Sequence, residues 1–282
     1  MRHGDRGTHV TLLPLSPPVF AILSAFIEDL TGIHYEAADR DILADKVATR
    51  ALQAGFDSLL DYYYFLRYDP KAATEIDALI DALVVNETYF FREADQLRVL
   101  LDQLLPPLIA TGARPRIWCA AASTGEEPLT LAMMLDDRRL LHRVEVVASD
   151  ISPRALVRCQ EGDYGPRSVR ALPPGVLGRH LHQGEPGRVT VRDDLRRAIS
   201  WRRINLIEPK QVEALGEFDA ILCRNVLIYF SESTVSAVAS RLGDALRPGG
   251  YLLVGASESL LRFGTQLECE EHGGAFFYRR ER

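Results

Sequence analysis

The chain has 282 residues, 47% of them apolar, and a formal net charge of −6. That length allows one large domain or two ordinary ones with a real core, and the negative balance speaks against a non-specific nucleic-acid binder. No uncharged apolar stretch is long enough to span a bilayer, and Met1–His9 is polar and charged, with no apolar run after it that resembles a signal peptide.

The predicted elements begin with helices. Ser16 followed by Pro17 and Pro18 is an N-cap with proline in the first turn, and it opens an apolar stripe through Phe20, Leu23, Phe26, Ile27 and Leu30 that Gly32 closes. Ile42, Val47 and Leu52 mark a second helix, ended near Gly55. A third starts from an Asp57 cap and carries Leu59, Leu60, Tyr63 and Leu66. Asp69-Pro70 breaks the chain, and Ile76, Leu79, Ile80, Leu83 and Val84 supply a fourth stripe. Four short helices without strands predict a small bundle over residues 1–85.

Asn86-Glu-Thr-Tyr-Phe-Phe-Arg92 comes next, with polar Asn86, Thr88 and Arg92 interleaved with aromatic residues. Read alone, it is a helix whose aromatic side packs while its polar side is solvated. Asp102–Ala113, with Pro106-Pro107 and Gly112, reads as the segment that joins two parts of the chain. Residues 86–115 are therefore set apart from a second domain over 116–282.

From Arg116 the pattern alternates between strands and helices. Strand-like runs are Arg116–Ala121, Val144–Ser149, Phe218–Cys223 and Tyr251–Gly255, and helical runs are Glu126–Leu135, Pro153–Gln160 and Glu232–Leu246. Near-continuous apolar strands alternating with helices predict an α/β fold, a parallel sheet covered on both faces. Residues 178–203 interrupt the alternation as a small antiparallel β insertion, with His180–Gln183 and Arg188–Arg192 about the turn Gly184–Gly187. Gln266–Glu271, His272-Gly273-Gly274 and Ala275–Arg279 predict a closing antiparallel hairpin.

Cys119, Cys159, Cys223 and Cys269 form no C-x-x-C pair and read as buried free thiols of a reducing, cytoplasmic compartment. The seven histidines fall into no metal-ligand spacing, so no metal is expected.

Chemistry concentrates where predicted strands end. Arg116-Ile-Trp-Cys-Ala-Ala-Ala-Ser-Thr-Gly-Glu-Glu-Pro128 is a strand, a small-residue turn and a helix start, a place where open α/β sheets let a ligand approach the backbone. It matches neither phosphate-binding glycine fingerprint, and Glu126-Glu127 would repel phosphates. A ligand carrying an ammonium group suits the turn better, beside the plainer reading of a helix N-terminus that favours acidic residues. Asp150 ends the next strand, where nucleoside-binding sheets accept ribose hydroxyls; the competing role is an N-cap, which Ser152 can also fill. Strand placement and a phosphate-free turn select S-adenosylmethionine over NAD. Arg224-Asn225 ends a third strand and faces the same crevice, followed by Tyr229, whose plainer reading is a core aromatic with its hydroxyl at solvent.

Together these segments resemble the chemotaxis receptor methyltransferases, the CheR family. Asn86–Arg92, the Ala-Ser-Thr-Gly-Glu-Glu-Pro block, Ala148-Ser-Asp-Ile-Ser152, Arg203-Ile-Asn-Leu206, Phe218–Phe230 and Gly249–Leu260 match in order and spacing, from about Ser16 onward. The resemblance implies a class I, Rossmann-like methyltransferase domain preceded by an all-α domain. It implies that Asn86, Thr88, Arg92, Glu127, Asp150, Asn205, Leu206, Arg224 and Asn225 line an S-adenosylmethionine pocket. Glu127 would meet the methionine ammonium, Asp150 the ribose, and Asn205 and Leu206 the adenine, while Arg92 and Tyr229 lie near the transferred methyl. The implied product is S-adenosylhomocysteine, and the implied partners are the cytoplasmic methylation helices of chemoreceptors. No nucleic acid and no membrane insertion are expected. Other acceptors, and a non-catalytic nucleotide-sensing homologue, are the alternative readings. The short Gln183–Arg188 turn, stiffened by Pro186, predicts independence from the pentapeptide tether that some relatives use. Contact is expected instead through Arg40, Lys46 and Arg50 of the bundle.

Overall fold

The computed structural model describes residues 13–281, so the polar stretch Met1–His9 lies outside the described residues. The chain divides into two compact units that part between Val84 and Val85.

The first unit contains α1 (Pro17–Thr31), α2 (Arg40–Gln53), α3 (Leu59–Tyr68) and α4 (Ala73–Leu83). Proline stands in the first turn of α1, where the missing amide costs no bond, and Gly32 ends the helix at φ 80°. Leu23, Ile27, Leu43, Val47, Tyr62 and Leu79 form its core. The cap of α3 is Ser58, whose Oγ accepts the Asp61 amide at 3.3 Å. That corrects the expected Asp57 cap: Ser58 has the extended backbone and short hydroxyl that reach the amide three residues on.

The second unit opens with α5 (Ala94–Val99), a π turn (Leu100–Leu104) and α6 (Leu105–Ala110). The expected joining segment Asp102–Ala113 is thus largely helical. Pro106 and Pro107 sit in the first turn of α6, where proline is tolerated, and Leu101, Leu105 and Ile109 enter the main core. Asn86–Arg92 is not a helix, because Phe91 and Glu93 adopt positive φ of 62° and 47°. The Phe90 amide donates to the Ser168 carbonyl at 2.9 Å and the Phe91 amide to Thr130 Oγ1 at 3.0 Å, which removes the donors a helix would use.

The remaining elements are β1 (Arg116–Cys119), α7 (Glu126–Asp137), β2 (Glu145–Asp150), α8 (Pro153–Glu161), β3 (Asp163–Tyr164), β4 (Leu181–Gln183) and β5 (Val189–Val191). They continue with α9 (Asp193–Arg197), β6 (Ile199–Arg203), α10 (Pro209–Glu213), β7 (Phe218–Cys223), α11 (Glu232–Asp244), β8 (Leu246–Val254), β9 (Leu267–His272) and β10 (Ala275–Arg280). The main sheet has the order β6-β2-β1-β7-β8-β10-β9. It is parallel from β6 to β8, then antiparallel through the closing hairpin. Alternate residues feed two cores: Ile117 and Cys119 of β1 face one, Trp118 and Ala120 the other. From β1 the chain runs first to β2 on one side and later to β7 on the other, so ligands belong at the C-terminal edge between those strands.

The expected 178–203 insertion needs redrawing. Its small sheet has the order β3-β5-β4 and draws Asp163–Tyr164 from outside those bounds. Ile199–Arg203 leaves it and pairs parallel with β2. As an edge strand β6 buries only Ile199 and exposes Arg202 and Arg203, a charged pattern that protects an edge and hides the strand from an apolar-run reading.

Candidate active site

The turn after β1 is built for close approach. Gly125 has φ 97°, and a Cβ there would lie 2.9 Å from both Cys159 Sγ and the Tyr164 hydroxyl. Ser123 also has positive φ, 49°. Its amide donates to Asp150 Oδ2 at 2.7 Å, and the Ser152 amide donates to Asp150 Oδ1 at 2.9 Å. Ser152 Oγ accepts the Ala155 amide at 3.0 Å, so capping of α8 falls to Ser152, and buried Asp150 braces the turn beside it. Ser123 Oγ donates to Asn86 Oδ1 at 2.9 Å, tying the 86–92 segment to this turn.

The two adjacent glutamates have different surroundings. Glu126 is buried, accepting Ser168 Oγ at 2.7 Å and Thr124 Oγ1 at 2.6 Å. Glu127 instead faces Arg224 from the end of β7: Arg224 Nη1 donates to Glu127 Oε2 at 2.6 Å, and Nη2 to Glu93 Oε2 at 2.9 Å. The Arg224 side chain is 1% exposed, so its charge is viable only because it is paired. Glu127 and Glu93 flank this guanidinium, and Arg92, 3.7 Å from Glu93, brings a second positive charge to the cluster. Burial pushes the Glu127 carboxyl up despite Arg224. Burial acts likewise on Glu93, but Arg224, the Ala256 amide and Arg92 outweigh it and the net displacement is down. For Arg224 itself burial works against the charge, and the two carboxylates more than offset it.

The turn after β7 carries Asn225 at φ 59°. Its geometry is set by Glu258, beyond the end of β8. One Glu258 oxygen accepts the amides of Asn225 and Gly255, each at 2.7 Å. The other accepts those of Val226 at 2.9 Å, Leu227 at 2.8 Å and Ile228 at 3.3 Å. Sequence reasoning did not single out Glu258 or Glu93. The available signal for Glu258 was an acid in a small-residue run just after an apolar strand, the position type already chosen for Glu127. Tyr229 closes this short turn half-buried; burial raises its phenol pKa, Arg92 opposes this, and Glu258 and Glu87 add to it.

Arg92 donates through Nη1 to the Glu87 carbonyl at 2.9 Å and lies 3.7 Å from Glu93. Thr88, in the same segment, is half-buried. After β6, the Asn205 amide donates to Gln211 Oε1 at 2.9 Å and its Oδ1 accepts the Ile207 amide at 3.3 Å. Leu206 is buried and its carbonyl accepts Arg241. The ends of β1, β2, β6 and β7 thus bring Glu127, Asp150, Asn205, Leu206, Arg224 and Asn225 to one edge of the sheet. Asn86 and Arg92 are joined to it through Ser123 and Glu93.

The bundle cations do not form the expected patch. Arg50 pairs with Glu75 at 2.6 and 2.7 Å, and Lys46 Nζ donates to the Leu83 carbonyl at 2.6 Å, so both link α2 to α4. Only Arg40 stays outward, 3.6 Å from Asp41. Cys119, Cys159 and Cys223 are buried, whereas Cys269 is exposed on the outer strand β9. Among the described residues no His, Cys, Asp and Glu group can hold a metal ion, and no helix is long and apolar enough to cross a membrane.

Comparison with known proteins gives consistent matches. Residues 86–273 match the family described as CheR methyltransferase, SAM binding domain, and residues 18–84 match CheR methyltransferase, all-alpha domain. Chemotaxis protein methyltransferase 2 of Vibrio cholerae is 34% identical over 240 residues, 83% of each chain. Chemotaxis protein methyltransferase 1 of Pseudomonas aeruginosa is 32% identical over 269 residues, 92% of this chain and 97% of that one. Among solved structures, the N-methyltransferase NodS from Bradyrhizobium japonicum WM9 aligns with a TM-score of 0.40 at 16% identity, covering 67% of this chain and 97% of that one.

Proposed function

The chain belongs to the CheR methyltransferase family, and from that premise we propose that it methylates glutamate side chains of chemoreceptors in the cytoplasm, yielding glutamate methyl esters and S-adenosylhomocysteine. Its second unit is a class I methyltransferase domain that binds S-adenosylmethionine, and an all-α domain precedes it. Residues 1–85 are taken as the helical domain, 86–115 as the signature segment and linker, and 116–282 as the methyltransferase domain.

The observation that carries the reading is the Glu127–Arg224–Glu93 cluster. Its carboxylates, set beside a turn without a phosphate fingerprint, offer acceptors that suit an amino-acid ammonium better than a pyrophosphate. On this reading Glu127 meets the methionine ammonium, Asp150 the ribose, and Asn205 and Leu206 the adenine, with Asn86, Thr88, Arg92, Arg224 and Asn225 completing the pocket. The cofactor supplies an electrophilic methyl on a sulfonium. Arg92 and Tyr229 place the acceptor.

A glutamate acceptor, with a reference pKa of about 4.3, is ionised at neutral pH and needs no general base. The protein's task is alignment, which contributes roughly 7–11 kcal/mol in well-oriented reactions. Water exclusion helps as well, because attack of carboxylate on sulfonium neutralises opposite charges. Arg92 holds the carboxylate through a single contact, since a bidentate clamp would quench the nucleophile. The β4–β5 turn closes on itself: the Gly184 amide donates to the Arg188 carbonyl at 3.1 Å, and the Arg188 amide to the Glu185 carbonyl at 2.8 Å. That closure supports docking without a pentapeptide tether.

The test is transfer of a labelled methyl to the cytoplasmic fragment of a chemoreceptor lacking any pentapeptide tail, with the modified residues located by mass spectrometry. Base-labile label on glutamate is expected. Cofactor binding with no transfer would instead favour a sensor. Arg92→Ala should lower turnover at least tenfold while changing cofactor affinity far less; equal losses would return Arg92 to cofactor binding alone.

A further inference from the structure

Three arginines converge on Glu87. Arg167 Nη2 reaches Glu87 Oε2 at 3.0 Å, Arg170 Nη2 reaches Oε1 at 2.9 Å, and Arg92 Nη1 bonds the Glu87 carbonyl. Arg170 does not depend on this carboxylate for its position. Its guanidinium lies 4.0 Å from the centre of the Tyr89 ring, and its Nη1 donates to the Arg167 carbonyl at 3.0 Å. The clasp faces solvent: the Glu87 side chain is 50% exposed and that of Arg167 is 85% exposed. It also borders the proposed acceptor side, since Arg92, assigned to the acceptor, donates to the Glu87 carbonyl at 2.9 Å.

Exposed ion pairs of this kind add at most about 1 kcal/mol to folding, so the clasp is a poor device for holding the chain together. It is a good device for exchange. A carboxylate arriving from outside can replace Glu87 with little net change, because the arginine geometry already fits a glutamate side chain and Tyr89 keeps Arg170 in place. Glutamates one turn apart lie on the same face of a helix, so an acceptor helix can present a second carboxylate beside the reacting one.

We propose that Arg167 and Arg170 form a docking clasp for a second, non-reacting carboxylate of the acceptor helix, with Glu87 occupying the clasp until that helix arrives. The inference rests on the reading that the acceptor is a glutamate-bearing receptor helix. Glu87 then acts as a built-in competitor that discriminates against surfaces lacking the right charge pattern.

Binding tests this separately from methyl transfer. A fluorescent receptor cytoplasmic fragment is titrated with the full-length protein in two forms: acidic residues flanking the methylation sites intact, or changed to glutamine. The wild type should prefer the acidic form. Glu87→Gln should bind that form roughly two- to fivefold more tightly, and Arg167→Ala/Arg170→Ala should bind both forms equally. The receptor KM should follow these changes, with kcat and cofactor affinity unaltered. Absence of a preference in the wild type, or its persistence in the double variant, overturns the proposal. So does unchanged affinity in Glu87→Gln. A wild type that shows the preference but transfers no methyl group would sink the functional reading and leave the clasp standing.

Discussion

The turns after β1 and β7 solve the same problem with different consequences. Each bends away from a buried strand through a non-glycine residue at positive φ, Ser123 and Asn225, and each is braced by a carboxylate from a neighbouring strand end. At the β1 turn Asp150 accepts one amide from the turn and one from its own strand's exit. At the β7 turn Glu258 accepts five amides and holds four consecutive residues, Asn225 to Ile228, in a fan. The first brace is also a proposed ligand contact, whereas the second is devoted to the backbone.

The largest expected effect comes from breaking the second brace. Glu258→Ala leaves several partly buried amides without an acceptor, at about 1–3 kcal/mol each where water cannot replace it. A stability loss of about 3 kcal/mol and a turnover loss above a hundredfold are expected from thermal unfolding and single-turnover transfer. Glu258→Gln, which keeps one acceptor oxygen, should recover part of both. Wild-type melting in Glu258→Ala would mean that the turn holds itself.

Asp150→Ala should have a smaller effect of a different kind. Cofactor affinity should fall roughly tenfold to hundredfold through lost charge-assisted bonds, while melting falls less than in Glu258→Ala, because two backbone amides lose their acceptor instead of five. Calorimetry showing undiminished affinity would remove the ribose assignment and make the two turns alike.

The smallest expected effect is a pH dependence. Burial raises the Glu127 carboxyl, so on acidification it is protonated above the usual carboxylate range, while Glu93, displaced downward, stays charged. An ammonium-bearing ligand needs ionised Glu127, so cofactor affinity should weaken as pH falls through the raised value, and Glu127→Gln should flatten the profile. The sign for folding is opposite: a raised carboxyl favours the protonated native state, a contribution present at low pH and lost as pH rises through the folded value. Affinity that is flat with pH in the wild type would detach Glu127 from the ligand.

The strands whose ends lead to Glu127, Asp150 and Arg224 were legible because they are central and read as apolar runs, and Gly273-Gly274 marked the closing hairpin. Glu258 was not legible, since four of its five partners lie some thirty residues earlier, beyond the neighbouring strand β7, a pairing that no local pattern encodes. The 86–92 segment misled for a related reason. Its local preference was helical, but Ser168, Thr130 and Arg224 take its backbone groups, and tertiary bonds outweigh weak propensity. β6 was hidden by its charge, and the bundle cations were visible as residues but not as partners of α4.

The packing behind Gly125 restricts what substitutions this chain can accept. Cys159 and Tyr164 already fill the volume that a side chain at 125 would need, and burial keeps the Cys159 thiol protonated and so inert. A bulkier residue at 159 would press on the turn at Gly125 and at the Ser123 carbonyl, which Cys159 Sγ already approaches at 3.3 Å. Positions 125, 159 and 164 can therefore drift only as a set. Tyr164 has little freedom to yield in turn, because its hydroxyl donates to the Thr124 carbonyl at 2.7 Å.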